Sequence, residues 1–302
     1  MHRFVCARRL LGTLGRSEMD RSEDGSNAVP NERQKVVLFA DLLGFGALTE
    51  QCPLDVAFLR SSDRLDTLFG QVFQPPNPLT HAFTEFHRAV RWALQLANLK
   101  HSSTAISFSD SAFVATAQLH EAVGIATYLM TSLLRRGVPM RAGIASGSFE
   151  AVRFRSDISL DGGDHAAHFL GTGVLRAHAS ESCGIKGCRI LLHPSATALL
   201  KDPLHNPPHP ASEHVRYLEC TPVESQNKVG ALHEVDYWSF GRTDEKAAWR
   251  ALQEMWNSAP EAERHHYRAT AEAINRMRMN RGEPSIRDLR RRTLPRGASN
   301  TR

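Results

Sequence analysis

The pattern of hydrophobic and polar positions predicts strands and helices that alternate along most of the chain. A continuous apolar run over 35–41 is typical of a buried strand, and it ends in Asp41. Helical periodicity follows through the forties to the sixties and again over about 80–99, with a proline-rich loop at 74–78 between them. Apolar residues over 104–116 then flank the polar tripeptide SDS, which suits the turn of a hairpin.

The same pattern continues through the middle of the chain. An amphipathic helix is predicted over 117–136, and an extended segment follows over 138–152. After a loop rich in Asp and Gly at 161–164, we expect a helix over 171–182 and a short strand over 188–193. Strands that alternate with helices, together with one hairpin, indicate an α+β or α/β arrangement with helices packed on a sheet.

The last third gives weaker signals. The segment 203–214 has the composition of a loop, and its histidines lack a regular metal-ligand spacing. A strand near Trp238 and two amphipathic helices over 247–256 and 259–277 are expected to pack against the rest of the chain or against a partner.

Composition places this 302-residue chain, 41% hydrophobic and 23% charged, among folded globular proteins and excludes whole-chain disorder, collagen or coiled coil. The five cysteines are scattered without a C-x-x-C pair, which argues against a disulfide framework or a zinc knuckle and predicts a reducing, cytoplasmic location. The apolar run over 36–45 contains Asp41 and is far shorter than the roughly 20 residues of a membrane span. We therefore expect no transmembrane segment.

Charge is concentrated at the C-terminus. Residues 281–302 hold seven arginines and two acidic residues, so this tail carries the whole net charge of +5. Arg290 to Arg292 could bind phosphates, RNA or an anionic surface, but no aromatic residues interleave with the arginines. We therefore interpret 281–302 as a solvated, disordered basic tail and expect no nucleic-acid partner. Residues 1–34 are interpreted as a disordered leader or a mis-assigned start, with Met19 as the alternative initiator.

Four segments carry a resemblance to a known family. Residues 39–45 (FADLLGF) resemble the F-x-D-x-x-G-F opening of class III nucleotidyl cyclases, and 108–111 (FSDS) resemble their second metal hairpin. Residues 141–147 (RAGIASG) resemble their R-x-G-I-x-x-G strand, and 168–181 resemble the segment that contains W-G-x-x-V-N-x-A-x-R. Each motif is weak alone, but all four occur in family order over about 35–200.

This resemblance implies the class III cyclase homology fold. That fold is an α+β architecture with a ferredoxin-like βαββαβ core and helices on one face of a mostly antiparallel sheet, to which C-terminal helices are added here. The implied organisation is a nucleotidyl cyclase domain over 35–200, an extension with a loop, a strand and helices over 201–280, and the basic tail.

The resemblance also implies two divalent metal ions, with Mn²⁺ favoured and Mg²⁺ possible. Cyclisation needs the 3′-hydroxyl to lose a proton and attack the α-phosphorus while pyrophosphate leaves, and two cations assist both events. The implied metal site consists of Asp41, the adjoining Leu42, and Asp110, because hard cations prefer carboxylate oxygens. The alternative is that Asp41 caps a helix and Asp110 fills a turn.

Substrate contacts are implied beside these aspartates. Backbone N–H groups over 43–46, where the strand turns into a helix, would cradle the phosphates around Gly44 and Phe45. By resemblance, the guanidinium of Arg141 would contact the triphosphate; the alternative is an arginine on the surface at the start of a strand.

Departures from the family pattern bear on the substrate. Purine cyclases carry a polar pair in the base pocket, and the matching positions here are Ile106 and His168. That pair reproduces neither purine code, and the chain looks like the pyrimidine cyclases of the bacterial Pycsar antiphage system. A neutral His168 could pair with the uracil imide, so UTP is the expected substrate and CTP the alternative.

A second departure concerns catalysis. The family Asn and Arg align with Leu175 and Ala179, so Arg176 is the predicted replacement, and His178 is the other candidate catalytic residue. Both could project toward one phosphate from a single helical face.

With one such domain and no internal repeat, the resemblance implies a homodimer whose sites combine Asp41, Asp110 and Arg141 of one subunit with His168 and Arg176 of the other. The expected activity is synthesis of 3′,5′-cyclic UMP, which would act through a separate cyclic-nucleotide-gated effector in antiphage defence. A catalytically silent, nucleotide-sensing cyclase homologue is the alternative.

Overall fold

The structure of the chain is a computed structural model. It describes residues 34–53, 55, 77–96, 104–155, 165–209, 212–216, 218, 220–224, 229–240, 245–286 and 289. Residues 1–33 of the predicted leader, most of the helical segment predicted through the fifties and sixties, most of the 74–78 loop, the 161–164 loop and Arg290 to Arg292 lie outside these residues. Gln34, the last residue of the predicted leader, begins the first strand.

A seven-stranded sheet forms the centre, in the order β10-β11-β7-β4-β1-β3-β2. Its strands are β1 (Gln34–Leu42), β2 (Thr104–Ser107), β3 (Ser111–Thr116), β4 (Met140–Ser148), β7 (Ile190–Leu192), β10 (Cys220–Val223) and β11 (Leu232–Val235). Two small sheets pair β5 (Glu150–Arg155) with β6 (His165–Leu170) and β8 (Pro208–His209) with β9 (Ser212–Arg216). In the main sheet, β4 and β7 pair in parallel and the other neighbours are antiparallel.

The helices of the described residues are α1 (Phe45–Gln51), α2 (Pro78–Leu96), α3 (Leu119–Leu134), α4 (Thr172–Glu181), α5 (Pro194–Thr197), α6 (Tyr237–Phe240), α7 (Glu245–Ser258) and α8 (Arg264–Asn280). None of these helices has the length and apolar character needed to span a membrane.

The first half of the fold has a ferredoxin-like core. In chain order it reads β1, α2, β2, β3, α3, β4, and the four strands lie in the sheet as β4-β1-β3-β2. Each strand pair in this core is antiparallel. The α+β class expected from the sequence is confirmed.

The two faces of β1 are covered by different helices. Alternating residues such as Val36 and Leu38 are fully buried with the apolar faces of α2 and α3. The intervening residues Val37 and Phe39 face the other way, where α4 contributes Ala177 and Val174. Strand β1 is therefore buried on both faces, as its continuous apolar run predicted.

The C-terminal helices extend this core. Leu252 of α7 and Ile274 and Met277 of α8 join the cluster formed by α2, α3 and the sheet. Trp238 lies in the short helix α6 immediately after β11, so the strand expected at this tryptophan ends just before it.

The beginning of the basic tail is attached to the body of the protein. Arg281 forms ion pairs with Asp236 and Glu283, and Ile286 exchanges two hydrogen bonds with the Asn275 side chain at 2.7 and 3.2 Å. The described first residues of 281–302 thus differ from a solvated tail, because buried and half-buried carboxylates neutralise the arginine.

Candidate active site

The two candidate metal aspartates meet at one end of the sheet. Asp41 is the penultimate residue of β1, and the register places it opposite Ser111 of β3, the residue after Asp110. The N–H of Leu42 donates to the carbonyl oxygen of Asp110 at 3.0 Å. The hairpin turn and the strand end are therefore tied together by the backbone, which brings both carboxylates to the same place.

The carboxyl group of Asp41 lies in an unusual electrostatic environment. Burial above all, together with the negative charges of Glu181 and Asp110, raises its pKa to about 7, although the nearby Arg141 acts in the opposite direction. Among the described residues, Asp41 has no ion-pair partner, although Arg141 lies directly opposite it on β4. An ionised Asp41 is thus destabilised by its neighbours, and a cation would relieve that repulsion.

Asp41 and Asp110 cannot enclose a metal ion by themselves, but two carboxylates fit a site for Mg²⁺ or Mn²⁺ that water and substrate complete. Within the described part of the chain, no three His, Cys, Asp or Glu side chains form a metal-binding group. Mg²⁺ sites commonly use one or two protein carboxylates, with waters and substrate phosphates as the remaining ligands. The side chain of Leu42 is buried in the core, so this residue could contribute its carbonyl oxygen alone.

Fewer backbone N–H groups are available to bind phosphate than the sequence predicted. The N–H of Leu43 donates to the carbonyl oxygen of Pro139 at 2.9 Å, so it is not available to a ligand. Gly44 follows with φ of 77°, a left-handed conformation that favours glycine, and its N–H and those of Phe45 and Gly46 have no backbone acceptor among the described residues. The Phe45 side chain packs against the core.

A cavity of about 320 Å³ opens beside Gly44, between α1, the turn before β4 and the segment that joins α7 to α8. Its lining includes Phe45, Pro139, Met255 and Tyr267, but neither Asp41 nor Asp110. The C-terminal extension therefore forms one wall at the start of α1, a role that the sequence did not suggest.

Arg141, which the resemblance implies as a triphosphate contact, is paired with Glu181 in the structure. Its Nε donates to Oε1 of Glu181 at 2.6 Å, and its Nη2 contacts the same oxygen. Both side chains are largely buried, with 15% and 4% of their surfaces exposed. Sequence reasoning missed Glu181, although one signal was present: it continues the buried i, i+4 series of Gly173 and Ala177 on α4, where a carboxylate needs a cationic partner.

The glycines of the RAGIASG strand have a packing role. A Cβ on Gly143 would lie 2.0 Å from the carbonyl oxygen of Ala177, and one on Gly147 would lie 2.5 Å from the nitrogen of Gly173. Helix α4 therefore lies directly on β4 and runs antiparallel to it. Because of this close contact, Glu181 at the C-terminal end of α4 lies beside Arg141.

The two predicted catalytic residues of α4 point in different directions. Nη1 of Arg176 donates to the carbonyl oxygen of Ser146 at 3.0 Å, above the far half of β4. The ring of His178 packs against Phe39 of β1, with centroids 5.2 Å apart. The expectation that both project from one helical face is wrong, because residues at i and i+2 leave a helix on nearly opposite sides.

Of the two base-pocket candidates, Ile106 lies on the face of the sheet that α4 partly covers, and His168 is described by its backbone register alone. Ile106 of β2 is half-buried opposite Phe113, whose ring is 4.8 Å from that of Phe169 on β6. His168 occupies the neighbouring position of β6, paired with Val152 in register. The edge strand and β6 thus approach each other through an aromatic cluster next to the hairpin of Asp110.

Neither a family model nor a curated protein matches this chain. Solved structures similar to it include the guanylyl cyclase Cya2, with 14% identity, a TM-score of 0.43 and coverage of 68% of this chain and 92% of that one. A bacterial light-regulated adenylyl cyclase shares 10% identity with a TM-score of 0.46, over 74% of this chain and 97% of that one. The guanylate cyclase domain of RhGC from Catenaria anguillulae, in complex with GTP, shares 13% identity with a TM-score of 0.44, over 68% and 96%. These values decide neither activity nor substrate.

Proposed function

We propose that this chain is a nucleotidyl cyclase that converts UTP into 3′,5′-cyclic UMP and pyrophosphate. The observation that carries the proposal is the meeting of Asp41 and Asp110 at one end of the sheet, with Asp41 destabilised as an anion and without an ion-pair partner among the described residues. Two neighbouring carboxylates, one of them without an ion-pair partner, are ligands that a divalent cation prefers, and a bound cation would relieve their repulsion.

The reaction forms a bond between the 3′-oxygen and the α-phosphorus and breaks the bond from that phosphorus to the β-phosphate oxygen. The 3′-hydroxyl proton and pyrophosphate are released. Two bound Mn²⁺ or Mg²⁺ ions would supply a lower pKa for the hydroxyl and charge neutralisation for the triphosphate. Asp41 and Asp110 would hold these ions, and the N–H groups over 44–46 would orient the phosphates.

Ile106 supports the proposed preference for a pyrimidine. An aliphatic side chain at this place offers no hydrogen bond to the edge of a purine, and an unpaired buried polar edge costs on the order of 1–3 kcal/mol per group. UTP or CTP would suffer less from this deficit. His168 is the proposed partner of uracil, and its role depends on the resemblance alone.

The proposal includes a homodimer with shared sites. Arg176 lies over Ser146, five residues along β4 from Arg141, which is roughly 17 Å at about 3.4 Å per residue. In this orientation the guanidinium of Arg176 points away from the Asp41 site of its own chain, which favours a second copy as the source of this arginine. A role in antiphage defence, with a separate cyclic-nucleotide-gated effector and a cytoplasmic location, extends this proposal from the Pycsar resemblance.

The test is incubation of the full chain with each of the four ribonucleoside triphosphates and Mn²⁺, followed by chromatographic separation of products and kcat/KM for each substrate. We expect cyclic UMP as the main product and faster turnover of UTP and CTP than of ATP and GTP. A preference for ATP or GTP would contradict the pyrimidine assignment, while CTP ahead of UTP would contradict only the role of His168.

A catalytically silent nucleotide sensor is the second candidate, favoured by Leu175 and Ala179 at the positions of the family Asn and Arg. Leu175 is 73% exposed and offers no hydrogen bond. If no triphosphate is cyclised but one of them binds in an Asp41-dependent manner, this second candidate replaces the first.

A further inference from the structure

Arg141 and Asp41 lie directly opposite each other on neighbouring antiparallel strands. The Cα atoms of such residues are about 4.5–5.5 Å apart, so a guanidinium at this position can reach the carboxylate across the strands. An arginine that bound Asp41 would occupy the oxygens that a metal ion needs. The structure shows a different arrangement, in which Glu181 of α4 holds the guanidinium.

The position of Glu181 is fixed by backbone packing. A Cβ on Gly143 would lie 2.6 Å from the nitrogen of Glu181, so the end of α4 rests on β4 without intervening side chains. The Glu181 side chain is 4% exposed, and its Oε1 receives both Nε and Nη2 of Arg141. A third weak contact, from Nη1 of Arg141 to the carbonyl oxygen of Ile185 at 3.4 Å, holds the other side of the guanidinium.

We infer that Glu181 is a positioning residue that keeps the guanidinium of Arg141 away from Asp41, so that the Asp41 carboxylate is available to a divalent cation. This inference rests on the proposed function. Formal charges agree with it, because Asp41, Asp110 and Glu181 together with Arg141 sum to −2, which one divalent cation neutralises. Without Glu181 the sum is −1, and the guanidinium gains Asp41 as its nearest alternative partner.

The experiment measures Mn²⁺ binding directly, by electron paramagnetic resonance titration of the full chain without nucleotide. Glu181→Gln keeps the shape of the side chain and removes its charge, and we expect it to weaken Mn²⁺ binding about tenfold. The double variant Arg141→Ala/Glu181→Gln restores the sum of −2 and removes the competing guanidinium, so Mn²⁺ affinity should return close to that of the unmodified protein.

A matched control is available in Glu234. This carboxylate is equally buried and bound to Arg189 and Arg276, but it lies three strands from β1 in the sheet. Glu234→Gln also breaks a buried arginine pair, and we expect Mn²⁺ affinity to stay unchanged. Should Glu181→Gln fail to fold, Glu181→Asp keeps the test open: it retains the charge but shortens the side chain, so it weakens the pair with Arg141 and should lower Mn²⁺ affinity, and an unchanged affinity would overturn the inference.

Three results would overturn the inference: unchanged Mn²⁺ affinity in Glu181→Gln, equal losses in Glu181→Gln and Glu234→Gln, or a double variant no better than Glu181→Gln alone. Failure of the proposed function looks different. In that case the unmodified protein shows no Mn²⁺ binding that Asp41→Asn abolishes, and the inference falls with it.

Discussion

The C-terminal end and the first half of helix α4 differ in how their polar groups are satisfied. At its C-terminal end, Glu181 is buried and paired with Arg141, next to Asp41. In the first half of the helix, Leu175 is 73% exposed and Arg176 is exposed while it donates to a backbone carbonyl of β4. The buried charge of Glu181 is thus paired within a single chain, whereas Leu175 and Arg176 present an apolar and a cationic side chain to the surroundings.

Under the proposed shared site, one chain would carry two halves of a site rather than a whole one, and this difference is what that proposal leads us to expect. The metal half is built by the register of β1, β3 and β4, which are central strands of the sheet. The other half consists of Leu175, which is largely exposed, and Arg176, whose guanidinium is bound to the carbonyl oxygen of Ser146. The following experiments change the metal site, the residues Leu175 and Arg176, or the packing of α4 that connects them.

The largest effect is expected at the metal end. Asp41→Asn or Asp110→Asn removes one ligand charge with little change in volume, and each should reduce cyclisation by roughly 100-fold or more. Initial rates with UTP and Mn²⁺ measure this, with circular dichroism to verify the fold. Glu50→Gln, on the exposed surface of nearby α1, removes the same charge and should leave the rate unchanged. More than a few per cent of residual activity in either Asp variant would contradict the two-metal assignment.

Mixing of inactive variants tests whether the two ends cooperate between chains. Asp110→Ala alters the proposed metal site, and Arg176→Ala removes the proposed catalytic arginine. In a mixed dimer, one of the two composite sites therefore receives both intact halves. After random re-pairing, about one site in four should be whole, and activity should recover to about a quarter. The measurement is the cyclisation rate after subunit exchange has been verified with differently tagged chains. No recovery would contradict either the shared site or the role of Arg176.

The close packing that connects the ends can be broken at Gly143. An Ala there would place its Cβ 2.0 Å from the Ala177 carbonyl oxygen, so α4 must move, and we expect a loss of about 3 kcal/mol in the free energy of unfolding. Gly124→Ala is the control, because a Cβ on this exposed position of α3 meets nothing within 4 Å and should stabilise the helix by about 0.5–1 kcal/mol. Denaturant unfolding measures both. Equal stabilities for the two variants would mean that α4 does not rest on β4 as described.

Much of the fold could be predicted because it is encoded locally. The continuous apolar run of β1 and the periodicity of α3 each indicate one type of element, and Asp41 lies where a strand must end. The ion pair between Arg141 and Glu181 could not be predicted in the same way. It joins residues 40 positions apart, and the contact depends on how closely a helix approaches a strand.

The divergence of Arg176 and His178 was also beyond the sequence motif. Both residues fall in a short helix whose face toward the sheet is set by Gly143 and Gly147, and the sequence motif alone assigns no packing role to those glycines. Once their packing role is known, the rotation of α4 follows. The side chain at i+2 from Arg176 must then turn toward β1 and meet Phe39.

The smallest effect is expected at the exposed end of α4. Leu175 is an apolar side chain with 73% of its surface exposed, beside Arg176, and a second copy of the chain is the proposed cover. Burying a leucine contributes about 1.5–3 kcal/mol, so Leu175→Glu should raise the dissociation constant of the dimer by about tenfold. Sedimentation velocity over a range of concentrations measures the dissociation constant.

Leu204→Glu is the matched control. Leu204 is also exposed, at 60%, but it lies in the loop after β7 and α5, so its substitution should leave self-association unchanged. If both variants associate as the unmodified chain does, Leu175 is not at the interface. If both are weakened equally, added negative charge rather than a lost apolar contact is the cause, and the end of α4 has no special part in pairing the chains.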